Sequence, residues 1–248
     1  MSIPRTILVT GAGRGLGKAI SLGVAELGWH CWVADINLEQ ATRTAEEIRE
    51  AGGQACPIEV DIASPESVER LVFRLEETGP IHGLVNCAAL ADGVGGNAVH
   101  EIPVADWDRI LGVNLRGSFL MTRAVAPLLI SSGGGTIVNI GSDAAANGSA
   151  NLAHYITSKG GLAALTRASA TDLGPHGITV NTVSPGLTVS ESAAEVPEKR
   201  HLEYQNQRAL KREQLPADIV GIVTFLVSPA ASYITGQEIL VNGGFVYR

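Results

Sequence analysis

The chain has 248 residues, 45% hydrophobic and 4% aromatic, with 29 glycines. That length and composition suit one large α/β domain, or two small ones, packed from small aliphatic side chains. A net charge of −7 with no long basic run argues against nucleic acid and anionic membrane as partners.

Taken in chain order, short β-branched or apolar runs at 5–10, 30–35, 54–60, 82–87, 135–140, 178–183 and 237–241 read as strands. Amphipathic stretches at 15–28, 38–51, 65–77, 104–131, 152–173 and 216–227 read as helices. This alternation predicts an α/β fold. The expected form is a doubly wound, Rossmann-type, parallel seven-stranded sheet with helices on both faces, in a single domain over 1–248. Residues 187–212 are polar and poorly patterned, and predict an excursion over the sheet edge with one or two short helices.

Cys31, Cys56 and Cys87 form no CxxC and no metal-ligand spacing. Each falls in a predicted strand, which reads as buried free thiols in a reducing cytosol. The N-terminus runs straight into a strand, without a signal peptide, and no apolar run is long enough to span a bilayer. A cytoplasmic location is the expectation.

The first strand is followed by Thr10-Gly11-Ala12-Gly13-Arg14-Gly15-Leu16-Gly17. Glycines here allow a tight turn and let backbone N–H groups approach a pyrophosphate at the helix N-terminus. The spacing is neither G-x-G-x-x-G, because Leu16 stands in the last glycine's place, nor a Walker A loop, because Ala19 follows Lys18. What remains is T-G-x-x-x-G-x-G, a turn placed to bind a dinucleotide. Asp35 ends the second strand, where a carboxylate can accept hydrogen bonds from the adenosine ribose and repel a 2′-phosphate. NAD is therefore expected over NADP. Arg14 weighs the other way, since a cation in the turn could meet that phosphate, and Asp35 could instead cap the next helix, although Asn37 is better placed for that.

Tyr155 and Lys159 are four residues apart in a predicted helix and so share a face. An ammonium beside the phenol would lower the tyrosine pKa and make a proton donor or acceptor. Taken alone, the pair is also an ordinary helix-surface motif. Ser142 lies upstream at the end of a predicted strand. No His/Cys/carboxylate cluster suggests a metal. His154 should point to another face of the helix than Tyr155.

In their order, Thr10-Gly11-x-x-x-Gly15-x-Gly17, Asp61, Asn86, Asn114 within Val113-Asn114-Leu115-Arg116-Gly117, Ser142, Tyr155-x-x-x-Lys159 and Pro185-Gly186 resemble the motifs of the classical short-chain dehydrogenase/reductase family. The resemblance covers nearly the whole chain. It implies that Tyr155 is the general acid/base and that Lys159 lowers its pKa and binds the nicotinamide ribose. Ser142 would orient the substrate oxygen, and Asn114 would kink its helix and hold a water for a proton relay. The implied cofactor contacts are Gly11, Arg14, Gly15, Leu16, Gly17, Asp35, Ile36, Asp61 and Ile62 (the last two against adenine), Asn86, Ala88, Tyr155, Lys159, Pro185, Gly186 and Thr188. One departure stands out. Asn86-Cys87-Ala88-Ala89 replaces the family's Asn-Asn-Ala-Gly, exchanging a structural hydrogen bond for a thiol and adding a methyl group where the backbone passes the cofactor.

The expected activity is NAD-dependent interconversion of a secondary alcohol and its ketone. The alternatives are a 3-oxoacyl-thioester reductase using NADPH and a non-catalytic nucleotide-binding regulator. Three regions should build the substrate pocket: 90–101, 143–152 and the excursion 187–205, which resembles the family's substrate lid. Asp92, Asp143, Asn147 and Asn151 could meet a polyol, sugar or hydroxylated ring, or be plain loop residues. The family commonly forms homotetramers. Long Ala/Leu faces on 104–131 and 152–173, and the aromatic tail 243–248, suit a homotetramer or homodimer, or else pack within the chain.

Overall fold

β1 (Thr6–Thr10) shows how the sheet is built. Ile7 and Val9 enter one core and Leu8 the other, the period-two alternation of a strand covered on both faces. The protein is seen here as a computed structural model that describes residues 5–191 and 196–247. After β1 come α1 (Gly15–Glu26), β2 (His30–Asp35), α2 (Leu38–Glu50), β3 (Gln54–Glu59), α3 (Pro65–Glu76) and β4 (Gly83–Asn86). The second half runs through α4 (Val104–Leu111), a π-helical segment (Gly112–Gly117), α5 (Ser118–Ser131), β5 (Gly135–Ile140) and α6 (Ala144–Asn147). It ends with α7 (Ala153–Leu173), β6 (Ile178–Pro185), α8 (Glu198–Gln207), α9 (Ala217–Leu226) and β7 (Glu238–Val241).

The strands form one seven-stranded sheet in the order β3-β2-β1-β4-β5-β6-β7, every pair parallel. This is the expected doubly wound fold. On one face Ile20 and Val24 of α1, Ile48 of α2 and Val223 of α9 pack on the strands. On the other, Leu71 of α3 and Met121 and Val125 of α5 do so. The winding changes direction between the adjacent β1 and β4, and in such sheets ligands bind beyond the carboxyl ends of the strands at that point.

Capping separates the helices. Asn37 accepts the Gln40 N–H at the start of α2, and Ser64 the Ser67 N–H at the start of α3; such a cap contributes about 1 kcal/mol. α1 begins after Arg14 with no side-chain cap and no acidic residue in its first turn. Its positive end is left for another acceptor.

Two expectations change. The helix expected over 104–131 is interrupted by the π-helical segment, inside which lies Asn114. Cys87 falls just beyond β4 rather than within it, and of the three thiols only Cys31 is fully buried, Cys56 and Cys87 being partly so. The polar stretch 187–212 holds the short helix expected of it, α8, and Thr188 bridges to Gln214 beyond it; its residues 192–195 lie outside the described ones, as do 1–4 and Arg248 of the tail. Phe245 of the tail stacks on Tyr204 of α8 with ring centroids 4.2 Å apart, so this part of the tail packs within the chain, while Tyr247 stays 78% exposed.

Candidate active site

The turn after β1 closes because Gly11 adopts φ +63° and lies against Ala88 so closely that a Cβ would come within 2.6 Å of the Ala88 Cα. A Cβ on Gly17 would collide with the Gly11 carbonyl. Thr10 ties the turn to the exit of β4: its hydroxyl donates to the Val85 carbonyl and accepts the N–H groups of Cys87 (3.1 Å) and Ala88 (3.2 Å). Asp35 accepts the Gly13 N–H and the Asn37 N–H, both at 2.9 Å, and so fastens the turn to the end of β2. Asn37, not Asp35, caps α2. Arg14 reaches across to Asp92 at 2.9 Å.

These residues line a cleft of about 1070 Å³ that runs over the carboxyl ends of β1, β2, β4, β5 and β6. Gly11, Arg14, Leu16, Gly17, Asp35, Ile36, Asp61, Ile62, Ala88, Ser142, Tyr155, Lys159, Pro185, Gly186 and Thr188 all line it. The cleft has the parts a dinucleotide needs: an uncapped helix N-terminus, a glycine turn with no room for side chains, and a carboxylate at the β2 end.

Gly15, Asn86 and Asn114 do not line the cleft: Gly15 turns the chain at φ +54° into the start of α1. Asn86 is buried and donates to Asn139 (2.9 Å) and Thr122 (3.2 Å), so it holds the central strand, tying β4 to β5 and α5, as the resemblance also implies. Asn114 accepts the Leu90 N–H (2.7 Å) and donates to the Leu90 carbonyl (3.1 Å) and the Ser158 hydroxyl (3.3 Å). Its amide pins the loop after β4 to α7, at the point where the helix widens to π geometry.

On α7, Lys159 lies over the Tyr155 ring, 5.8 Å from its centroid, as the spacing predicts. The electrostatics differ from the expectation. Burial pushes the Tyr155 phenol up to about 12, with the Ser142 hydroxyl pulling the other way. Lys159 is 4% exposed and donates to the Ile140 carbonyl at 2.8 Å. Burial brings its ammonium down to about 8. Both groups sit where ions are poorly solvated, so desolvation dominates each shift, and the expected lowering of the phenol by the ammonium is not seen. The Cys87 thiol, raised to about 12 by burial, faces the same lysine. Ala89 lines the cleft with its added methyl. His154 turns away from the cleft, and its Nδ1 accepts the Tyr155 N–H at 2.9 Å.

Arg200 and Tyr204 of α8 line the cleft; sequence reading assigned their segment, 187–205, to the substrate pocket but singled out neither residue. Tyr204 is held by Phe245 on one side and by the guanidiniums of Arg200 and Arg208. The only signal was an aromatic in a polar run, which does not announce a buried position.

The chain matches the family described as Enoyl-(Acyl carrier protein) reductase over residues 11–246. It is 34% identical over 245 residues to cyclohexanol dehydrogenase of Acinetobacter sp. (strain SE19), covering 98% of this chain and 96% of that one. A Beutenbergia cavernae protein provisionally described as an NAD(P) dependent gluconate 5-dehydrogenase, with NADP bound at low occupancy, superposes with a TM-score of 0.92 at 33% identity over 98% of both chains. A 3-oxoacyl-(acyl-carrier protein) reductase with bound NAD from Brucella melitensis gives 0.89 at 30% identity, over 98% of this chain and 92% of that one. These similarities span nearly the whole chain and share its fold: the chain belongs to the classical short-chain dehydrogenase/reductase family, oxidoreductases that act on alcohols and ketones.

Proposed function

We propose that the protein, one domain over 1–248, is an NAD-dependent dehydrogenase that interconverts a secondary alcohol and its ketone, with Tyr155 as general acid/base. The observation that carries this reading is the meeting of Ser142, Tyr155 and Lys159 in one cleft with the glycine turn and Asp35. When bound, NAD supplies the hydride acceptor. Tyr155 exchanges the hydroxyl proton, and the Ser142 hydroxyl hydrogen-bonds the same oxygen, where charge develops. Lys159 holds a positive charge under the phenol, and Asn114 positions the loop wall that faces it. A phenol pushed up to about 12 is protonated at neutral pH and stands ready as the acid for ketone reduction.

NAD is favoured over NADP by two contacts. Asp35 presents a carboxylate at the β2 end, with both oxygens anchored to backbone N–H groups. Arg14, the cation that could meet a 2′-phosphate, is paired with Asp92. The rival reading, a 3-oxoacyl-thioester reductase using NADPH, draws support from the similarity to the Brucella melitensis reductase, and Asp35 speaks against its cofactor. A homotetramer or homodimer in the cytoplasm completes the reading; among the described residues no helix is long and apolar enough to cross a membrane.

Tyr155→Phe tests the assignment. Turnover of any accepted alcohol with NAD should fall at least a thousandfold, by roughly the value of a general acid/base, while NADH binding persists. Turnover within tenfold of wild type would sink it.

A further inference from the structure

Asp143 follows Ser142 at the carboxyl end of β5 and lines the same cleft, yet it is only 1% exposed. Its Oδ2 is enclosed and completes no hydrogen bond. Arg208, whose charge reaches Asp143, gives its two terminal nitrogens to the carbonyls of Leu187 and Arg212 and to Gln214, while its Nε is buried without a partner. No ion pair joins Asp143 to either Arg208 or Arg200 among the described residues. The Asn242 side chain and the Ala144 N–H favour ionisation, as do Arg208 and, more weakly, Arg200, but burial wins and holds the carboxyl up at about 7. It adjoins Ser142 in the chain and shares the cleft wall with Ser142 and Tyr155, which sets it beside the reacting oxygen. Buried polar atoms are nearly always paired, so an orphan carboxylate oxygen at the wall of a cleft indicates a partner that arrives with a ligand.

We propose that Asp143 forms a second substrate subsite that takes a hydroxyl adjacent to the reacting carbinol, so that 1,2-diols and polyols are preferred to alcohols with one hydroxyl. The proposal rests on the dehydrogenase reading of the cleft. The chemistry selects a hydroxyl among polar groups. A carboxyl that is half-protonated near neutral pH both donates and accepts, and a hydroxyl can answer either form. A substrate carboxylate would be repelled by the ionised form, and an ammonium would be opposed by Arg200 and Arg208, whose charges both reach Asp143. Tyr204, held at 3.4 Å from the Asn147 amide, bounds the subsite on the α8 side.

The test compares kcat/KM with NAD for cyclohexane-1,2-diol, both isomers, and for cyclohexanol, in wild type, Asp143→Ala and Asp143→Asn. Wild type should prefer the better diol isomer by roughly tenfold or more, as expected for a site with an otherwise unpaired buried polar group. The ratio should approach unity in Asp143→Ala and fall partway in Asp143→Asn, whose amide still hydrogen-bonds and keeps the side chain's shape. Calorimetric binding of both alcohols to the enzyme–NADH complex gives the same ratio for any variant that loses turnover. No preference in wild type, in rate or in binding, or a preference that survives Asp143→Ala, overturns the proposal; the former would mean that Oδ2 is satisfied by solvent, the latter that another group recognises the second hydroxyl. Selective diol binding that Asp143→Ala abolishes, without oxidation of either alcohol by wild type, would uphold the subsite and reject the dehydrogenase reading.

Discussion

Asp143→Asn should make the protein more stable above neutral pH, and the gain should grow with pH. An Asp that ordinarily titrates at 3.8 is pushed up to about 7 here by burial. Between those pH values the folded protein keeps a proton that the unfolded chain has released. Stability therefore falls as pH rises through this window, and the full penalty stands above pH 7. At about 1.4 kcal/mol per pH unit the penalty is at most about 4 kcal/mol, of which only about 1.5 kcal/mol has developed by pH 5. Asparagine fills nearly the same volume and carries no charge to desolvate. Urea unfolding at pH 5 and pH 8 should thus show the variant's advantage widening by roughly 2–3 kcal/mol. Losing the electrostatic neighbour of the buried Arg208 will reduce the absolute gain but not its pH dependence. A gap that stays constant with pH, or a wild type more stable than the variant at pH 8, would refute the reasoning by showing that the carboxylate is already well paired.

Two further outcomes follow from the geometry. Asn114→Ala removes three hydrogen bonds and leaves the Leu90 backbone unanswered; urea unfolding should show a loss of about 2–4 kcal/mol. Its KM should rise as the loop after β4 loosens, and an unchanged midpoint would show that the amide does not hold that loop. Asp35→Ser removes the carboxylate proposed to face the 2′ position, so the NADP/NAD ratio of kcat/KM should rise roughly tenfold or more, since a like-charge repulsion at about 4 Å is worth between about 1 kcal/mol in water and about 4 kcal/mol near a protein surface. An unchanged ratio would remove Asp35 from cofactor choice.

The cleft was legible where function is written in local chain geometry. Gly11 and Gly17 are dictated by backbone approach within one turn, and Tyr155 and Lys159 by the pitch of one helix, so spacing set their geometry and the family resemblance singled them out. Asn114 was assigned a water-holding role on resemblance, but its side chain answers Leu90 and Ser158, 24 and 44 residues away. The interruption of its helix was expected from the resemblance, and the π segment over Gly112–Gly117 supplies it. Asn86 holds the central strand through Asn139, as the resemblance implied, but a strand-end asparagine can face a ligand or the next strand, and only the register with Asn139 shows which. Tyr204 and Arg208 were hidden because a polar run gives no periodicity from which to infer burial.

The sign of the Tyr155 shift shows a deeper reason. Spacing places a cation beside a phenol and suggests a lowered pKa. Whether the cation or the desolvation prevails depends on how much protein surrounds both, which no local pattern contains. In this cleft desolvation prevails at every strongly shifted group: Tyr155 and Cys87 are raised to about 12, Asp143 to about 7, and Lys159 is lowered to about 8. Each shift disfavours the charged form. A site of this kind withholds charge until a ligand supplies the missing hydrogen bonds, and then its few charges act in a medium that screens them weakly. The same burial that makes Asp143 destabilising in the free protein makes its hydrogen bond to a substrate selective, because an alcohol unable to supply that bond leaves the penalty in place.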